Sequence, residues 1–213
     1  MAGPDPIDLL RPGREITGMA AVLLPYRGDR VDWAGFEGLV GRVADAGLVP
    51  AVNMDTGYAD LIDEATRTEV LDRTAALRAG AGFVAGAFVA DRPGDAWTVD
   101  AHGPAVEAVA IRGGTPVVFP CHGLAARDGA GWVAAHAALG ERIDRFLAFE
   151  LSTAFAPTGV IHDLATYREL LGVTACVGAK HSSLHRQPEW DRLRLRDEIR
   201  PDFRVLTGND LAI

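Results

Sequence analysis

The sequence holds a single lysine. Its 21 basic residues are 20 arginines and Lys180, so arginine fills every surface role that lysine could share, and the exception invites a chemical reason. Arginine keeps its proton at any usable pH, whereas a lysine amine can be desolvated, become neutral and attack a carbonyl. Cysteine is nearly as scarce. Cys121 and Cys176 have no CxxC spacing, which excludes a disulfide framework and reads as two reduced thiols in core positions. A basic excess is missing as well: a net charge of −8 with histidine neutral leaves no overall positive field for a phosphate backbone, so nucleic acid is not an expected partner. Nowhere do ~18 apolar residues run uninterrupted. The opening MAGPDPIDLLRPGREITG has acids and prolines where a secretory signal needs a basic and then an apolar run. No membrane association is expected, and the cytoplasm is the expected compartment.

What is present suffices for a core, with 48% hydrophobic and 23% charged residues. One domain is expected over 1–213, since single α/β barrels routinely run past ~200 residues. Residues 1–15, rich in Pro and Gly, read as irregular with at most one short extended pair. Apolar runs of strand length then follow at 18–24 (GMAAVLL), 48–54 (LVPAVNM), 83–89 (FVAGAFV), 116–120 (PVVFP), 145–151 (RFLAFEL), 175–180 (ACVGAK) and 203–207 (FRVLT). Each is apolar nearly throughout, as expected of parallel strands covered by helices. Amphipathic stretches lie between them at 33–45, 67–78, 97–112, 131–144, 164–171 and 189–196, with Asp32 and Asp163 in N-cap positions. The spacing of roughly 25 to 35 residues per strand is that of a βα unit returning the chain to a parallel neighbour. The fold class is therefore α/β, a TIM (β/α)8-type barrel. An open doubly wound sheet is the rival, but its GxGxxG after the first strand is replaced by LLPYRGD. Seven strands are counted where a barrel closes with eight, and the sequence ends after the seventh. Either one strand is misplaced or the last βα unit is lacking, and the chain reads as truncated there.

In a parallel barrel the strand ends build the site. The second strand runs into Asn53-Met54-Asp55-Thr56-Gly57-Tyr58, where turn amides and a Thr hydroxyl can hold a carboxylate, or merely form a turn. The fourth ends at Cys121-His122-Gly123, the fifth at Phe149-Glu150-Leu151, the sixth at Gly178-Ala179-Lys180-His181 and the seventh at Thr207-Gly208-Asn209-Asp210. Burial would raise the pKa of Glu150 and make it a candidate proton carrier; the plain alternative pairs it with an arginine. Gly178 and Ala179 leave room beside the Lys180 amine, so the lone lysine sits where a barrel puts a catalytic group.

These residues resemble the dihydrodipicolinate synthase and N-acetylneuraminate lyase superfamily, the class I pyruvate-type aldolases, from about Ile16 onward. AVLLPYRGDRVDW is similar to the family's opening strand, Pro-aromatic turn and helix-starting Asp. AVNMDTGYADLID stands where the family has its Gly-Thr-Thr-Gly-Glu carboxylate-binding turn, VGAKHSSL where it has its Gly-Ile-Lys-Glu-Ala-Ser strand, and VLTGNDL where it has its Gly-Asp-Asp turn. The resemblance implies that Lys180 forms an imine with a 2-oxo acid while Thr56 and Gly57 hold the carboxylate. Asp55 replaces the first Thr of that turn, and Phe149 stands in the place of the family's proton-shuttling Tyr. Phenylalanine cannot move a proton, so Asp55, Glu150, His122 or His181 must supply acid and base. Phe149, His122 and Gly208 complete the expected substrate-binding set, and the resemblance also implies a homo-oligomer, dimer or tetramer.

The expected activity is thus that of a Schiff-base lyase or aldolase on a small, pyruvate-like 2-oxo acid, needing no metal and no organic cofactor. A second reading is an inactive or purely binding barrel that kept Lys180 but lost the relay. A third, a metal-dependent aldolase on His122, His162 or His181, has no HxxxH or HxH spacing behind it.

Overall fold

The computed structural model describes residues 5–13 and 16–208; Asn209, Asp210 and the last three residues lie outside the described residues, as do 1–4, 14 and 15. Among the described residues seven sheet strands alternate with helices and follow one another in chain order, the TIM-type (β/α) arrangement expected from the spacing. They group into two compact units, Glu15–Ala90 with Pro104–Val117, and Met1–Arg14 with Asp91–Gly103 and Val118–Ile213.

In the first of these units β1 (Met19–Ala21) pairs in parallel with β2 (Val49–Val52), and β2 with β3 (Phe83–Ala87). Helices α1 (Trp33–Asp45) and α2 (Glu64–Leu77) cover them. Their apolar faces meet the strands in one buried cluster of Val22, Leu24, Phe36, Val40, Val52, Val70, Leu71, Phe83, Ala85 and Val109. Asp32 caps α1 by accepting from the Gly35 amide, as the sequence indicates. The start of α2 lies three residues before the expected one, because Asp63 accepts from the Thr66 amide and opens the helix earlier. A hairpin of Tyr26–Arg27 with Arg30–Val31 was not anticipated; Gly28, at φ 63°, supplies the left-handed residue that its two-residue loop requires. Helix α3 (Val99–Ala110) and β4 (Gly114–Val118) straddle the division between the units.

The other unit is built on β5 (Phe146–Leu151), β6 (Cys176–Ser182) and β7 (Arg204–Thr207), parallel throughout. Around them lie the short α4 (His122–Ala125), then α5 (Gly129–Gly140), α6 (Leu164–Leu171) and α7 (Gln187–Ile199). Its core is fully buried Leu139, Phe146, Leu147, Ala148, Tyr167, Leu170, Cys176 and Phe203. α6 spans the expected residues and is capped by Asp163. Pro6–Leu9 forms a 3-10 turn where at most an extended pair was expected, with Asp5 accepting from the Ile7 amide. Strand β6 continues two residues past Lys180, and this extension brings His181 and Ser182 into the sheet. Among the described residues no helix is long and apolar enough to cross a membrane.

Candidate active site

Lys180 lies on β6 directly opposite Phe149 on β5 and Leu206 on β7. Its Nζ stands 4.2 Å from the centroid of the Phe149 ring, a distance at which the negative face of the ring attracts a cation. Phe119 meets that ring edge-on, with centroids 5.6 Å apart. One glycine here makes space for the neighbouring strand and another for the lysine itself. A Cβ on Gly178 would lie 2.7 Å from the Arg204 carbonyl, so only glycine lets β7 approach here. A Cβ on Gly208 would lie 2.5 Å from Lys180 Cε and would overlap Ser182 Oγ. Lys180, Phe149 and Gly208, three of the expected site residues, are thus brought together.

Glu150 is not with them. Successive strand residues face opposite sides of a sheet, so Glu150 and its neighbour His181 point away from Lys180, toward α6 and α7. There Glu150 is fully buried. It accepts from Arg192 Nε at 2.6 Å and Nη2 at 2.7 Å, from the His162 amide at 3.0 Å and from His181 Nδ1 at 3.2 Å. The expectation of a raised pKa is corrected by these partners. Burial alone pushes the carboxyl up, but the His181 and Arg192 hydrogen bonds and the Arg192 charge outweigh it and hold Glu150 below the usual carboxylate range. A carboxylate locked ionised on the helix-facing side is a structural anion and no proton carrier for Lys180. His181 shares that face, with its Nε2 3.0 Å from Ser183 Oγ.

Asp55, Thr56 and Gly57 lie in the other unit, where they form a 3-10 turn at the end of β2. Asp55 and Thr56 are exposed and Gly57 is buried. A Cβ on Gly57 would come within 3.2 Å of the Val22 carbonyl, which accounts for glycine there. The Gly57 amide donates to the Met54 carbonyl at 2.9 Å, so the turn spends that donor on itself. Asn53 (φ 49°) and Tyr58 (φ 62°) flank it in the left-handed region, marking a tightly constrained bend. His122 opens α4, with its amide donating to Asp91 Oδ1 at 2.8 Å.

A small recess in the unit that carries Lys180 is lined by Val118, Pro120, Leu124, Trp132, His136 and Phe149. His136 is almost fully buried and packs at a tilt against Trp132, with ring centroids 4.2 Å apart. Its Nδ1 faces the Trp132 carbonyl at 2.9 Å, and no hydrogen-bond partner for its Nε2 is found among the described residues. Burial holds this imidazole neutral, with its pKa lowered to about 4. Sequence reading missed Arg192 and His136 because both sit mid-helix without any local motif. Cys121 and Cys176 are free and buried, as expected, and burial pushes each thiol up to about 12.

Solved structures share this fold. The dihydrodipicolinate synthase of Thermotoga maritima matches with a TM-score of 0.76 at 20% identity, over 91% of this chain and 64% of that one. A chloride-inhibited dihydrodipicolinate synthase of Acinetobacter baumannii, complexed with pyruvate, matches with a TM-score of 0.70 at 18% identity, over 91% and 64%. The N-acetylneuraminate lyase of Mycoplasma synoviae matches with a TM-score of 0.63 at 13% identity, over 90% and 62%. No protein-family model matches the chain, and no curated protein matches it by sequence. At these identities the likeness is one of fold: the chain has the TIM-type fold of the dihydrodipicolinate synthases and spans 64% of the length of the Thermotoga protein.

Proposed function

We propose that this chain is a carbon–carbon lyase of the Schiff-base type, acting on a small 2-oxo acid through Lys180. The observation that carries the reading is the one lysine of the sequence, on β6, with its amine over the Phe149 ring. The amine, once neutral, adds to the keto carbon; loss of water gives an imine whose protonated form draws electrons from the adjacent carbon–carbon bond. The Phe149 face that attracts the ammonium also favours the cationic imine, so the ring that cannot carry a proton can still stabilise the intermediate. The resemblance supplies a carboxylate-holding role for Thr56 and Gly57, with the Thr56 hydroxyl as the chief donor since the Gly57 amide is engaged. Acid–base work falls to Asp55, with His122 a substrate contact. A homo-oligomer, dimer or tetramer, and a cytoplasmic setting belong to the same reading, the latter supported by two free thiols.

The test is intact-mass analysis of the full chain after incubation with pyruvate and borohydride, beside Lys180→Arg. The expected result is a reduced adduct on the wild type alone. A folded wild type that takes up no adduct, or a Lys180→Arg chain that takes up as much, overturns the proposal. A second reading, an imine-forming or inert binding barrel without turnover, is favoured by Phe149 in place of a proton-carrying side chain. An adduct without carbon–carbon bond cleavage or formation in a product assay would select it.

A further inference from the structure

Asp91, His102 and Cys121 come from the loop after β3, the first turn of α3 and the residue before α4, yet their ligating atoms all lie within 4.8 Å of one another. We propose that these three side chains form a binding site for a divalent transition metal of the zinc type, held by one thiolate, one imidazole and one carboxylate, with a fourth position open to water. The proposal is independent of Lys180 and of the imine chemistry.

The donor set is that of zinc, which takes sulfur, nitrogen and oxygen ligands tetrahedrally. His102 Nε2 stands 3.2 Å from Cys121 Sγ. Ordinary zinc–sulfur and zinc–nitrogen bonds at a tetrahedral angle put those two atoms about 3.5 Å apart, so a metal enters with a shift of a few tenths of an ångström. The imidazole is already in the required tautomer. Its Nδ1 faces the Thr98 carbonyl at 2.9 Å; a carbonyl only accepts, so Nδ1 carries the hydrogen and the Nε2 lone pair points at Cys121. A backbone carbonyl orienting the far nitrogen is the usual outer support of a metal-bound histidine.

Asp91 is held just as firmly. One oxygen accepts from the His122 amide at 2.8 Å and the other from the Gly123 amide at 2.6 Å; the Cys121 thiol also hydrogen-bonds to this carboxylate, and loss of that proton on metal binding leaves the lone pair to the metal. His102 and Cys121 are both buried, and Trp97 stacks over the imidazole with centroids 5.3 Å apart. The backbone at Trp97 comes so near that a Cβ on Gly123 would lie 2.7 Å from its nitrogen. A thiolate beside a carboxylate in such a setting brings two negative charges together, and a divalent cation balances both. On binding, the thiol proton passes to solvent as the metal–sulfur bond forms.

Cobalt(II) titrated into the full chain tests this, because a thiolate ligand gives cobalt a charge-transfer band in the near ultraviolet. One equivalent is expected to saturate the band, and added zinc to abolish it. Cys121→Ser is expected to lose the band, while Cys176→Ser keeps it. His102→Gln and Asp91→Asn are each expected to weaken cobalt binding at least about tenfold, which decides the matter even should Cys121→Ser not fold. No band from a wild type folded by circular dichroism, a band that survives Cys121→Ser, or unchanged affinity in both His102→Gln and Asp91→Asn would overturn the site and leave a hydrogen-bonded cluster of core side chains.

Discussion

Arg192 on α7 grips Glu150 on β5 with two parallel hydrogen bonds, Nε to Oε2 at 2.6 Å and Nη2 to Oε1 at 2.7 Å, and both side chains are buried. Arg192 also donates to the carbonyls of His162 and Pro188 and lies over the Tyr167 ring. One guanidinium thus ties a strand, a helix and a loop together, which a lysine's point charge cannot do. Arg192→Met leaves a buried carboxylate without its chief partner, and the expected loss is about 3–5 kcal/mol in urea denaturation. Adding Glu150→Gln to Arg192→Met is expected to restore part of that loss. A single variant within about 1 kcal/mol of wild type would mean that the pair holds little.

The same carboxylate sets a pH dependence. Glu150 has its folded pKa held below the ordinary 4.5, so its contribution is fully present above that value and is lost as pH falls through the folded pKa. Melting temperatures measured from pH 6 downward should therefore drop for the wild type below about pH 4.5, and the drop should be shallower in Glu150→Gln. Equal slopes would assign acid unfolding to other carboxylates.

His136 acts in a different window. Folding keeps it neutral, with its pKa lowered from 6.5 to about 4, whereas the unfolded chain takes up a proton below 6.5. Stability should fall as pH drops from 6.5 toward 4, by up to about 3 kcal/mol from this group. In His136→Gln that slope should be clearly shallower, the remainder belonging to groups such as His162, whose pKa burial also lowers, and denaturation curves at pH 7, 5.5 and 4.5 are enough to see it.

Much of this was readable from the sequence, and the part that was not has a physical cause. Lys180 stood out by composition; the apolar runs placed the seven strands with ends off by one or more residues, and the capping aspartates gave two helices to the residue. The facing of Glu150 was hidden because FLAFEL is apolar on both sides of the strand, so no alternation marks which side is which. Arg192 was hidden for the opposite reason. QPEWDRLRLRDEI carries charge all round the helix, its buried positions include Glu189, Arg192 and Arg196, and the Glu150 partner lies 42 residues away. The four-residue α4 is too short to show any period. Cys121 read as core filler because its neighbours His102 and Asp91 come from separate segments.

Phe149 separates a ring effect from a proton effect. Phe149→Leu keeps apolar bulk but removes the face 4.2 Å from Lys180 Nζ. If the ring stabilises the cationic imine, loss of about 0.5–2 kcal/mol is expected, read as a several-fold fall in the pyruvate adduct trapped at fixed time. Phe149→Tyr keeps the face and adds a hydroxyl, and any carbon–carbon bond chemistry should rise about 10-fold or more if proton transfer limits it. Unchanged trapping in Phe149→Leu would reduce the ring to packing.

Gly208 tests whether the room beside the lysine matters. Its Cβ in Gly208→Ala would fall 2.5 Å from Lys180 Cε and 3.4 Å from Nζ, and would collide with Ser182 Oγ. All three atoms belong to side chains, and Gly208 itself is exposed at the end of β7, so the fold can absorb the methyl group by turning the lysine aside. Stability should therefore change little, within about 1 kcal/mol. Imine formation should not be so tolerant, because a displacement of about 1 Å at a reacting atom costs on the order of 100-fold in rate. A Gly208→Ala chain that melts like the wild type and traps pyruvate poorly would tie this glycine to the position of the amine. Wild-type trapping would show that the amine reaches its substrate from more than one conformation.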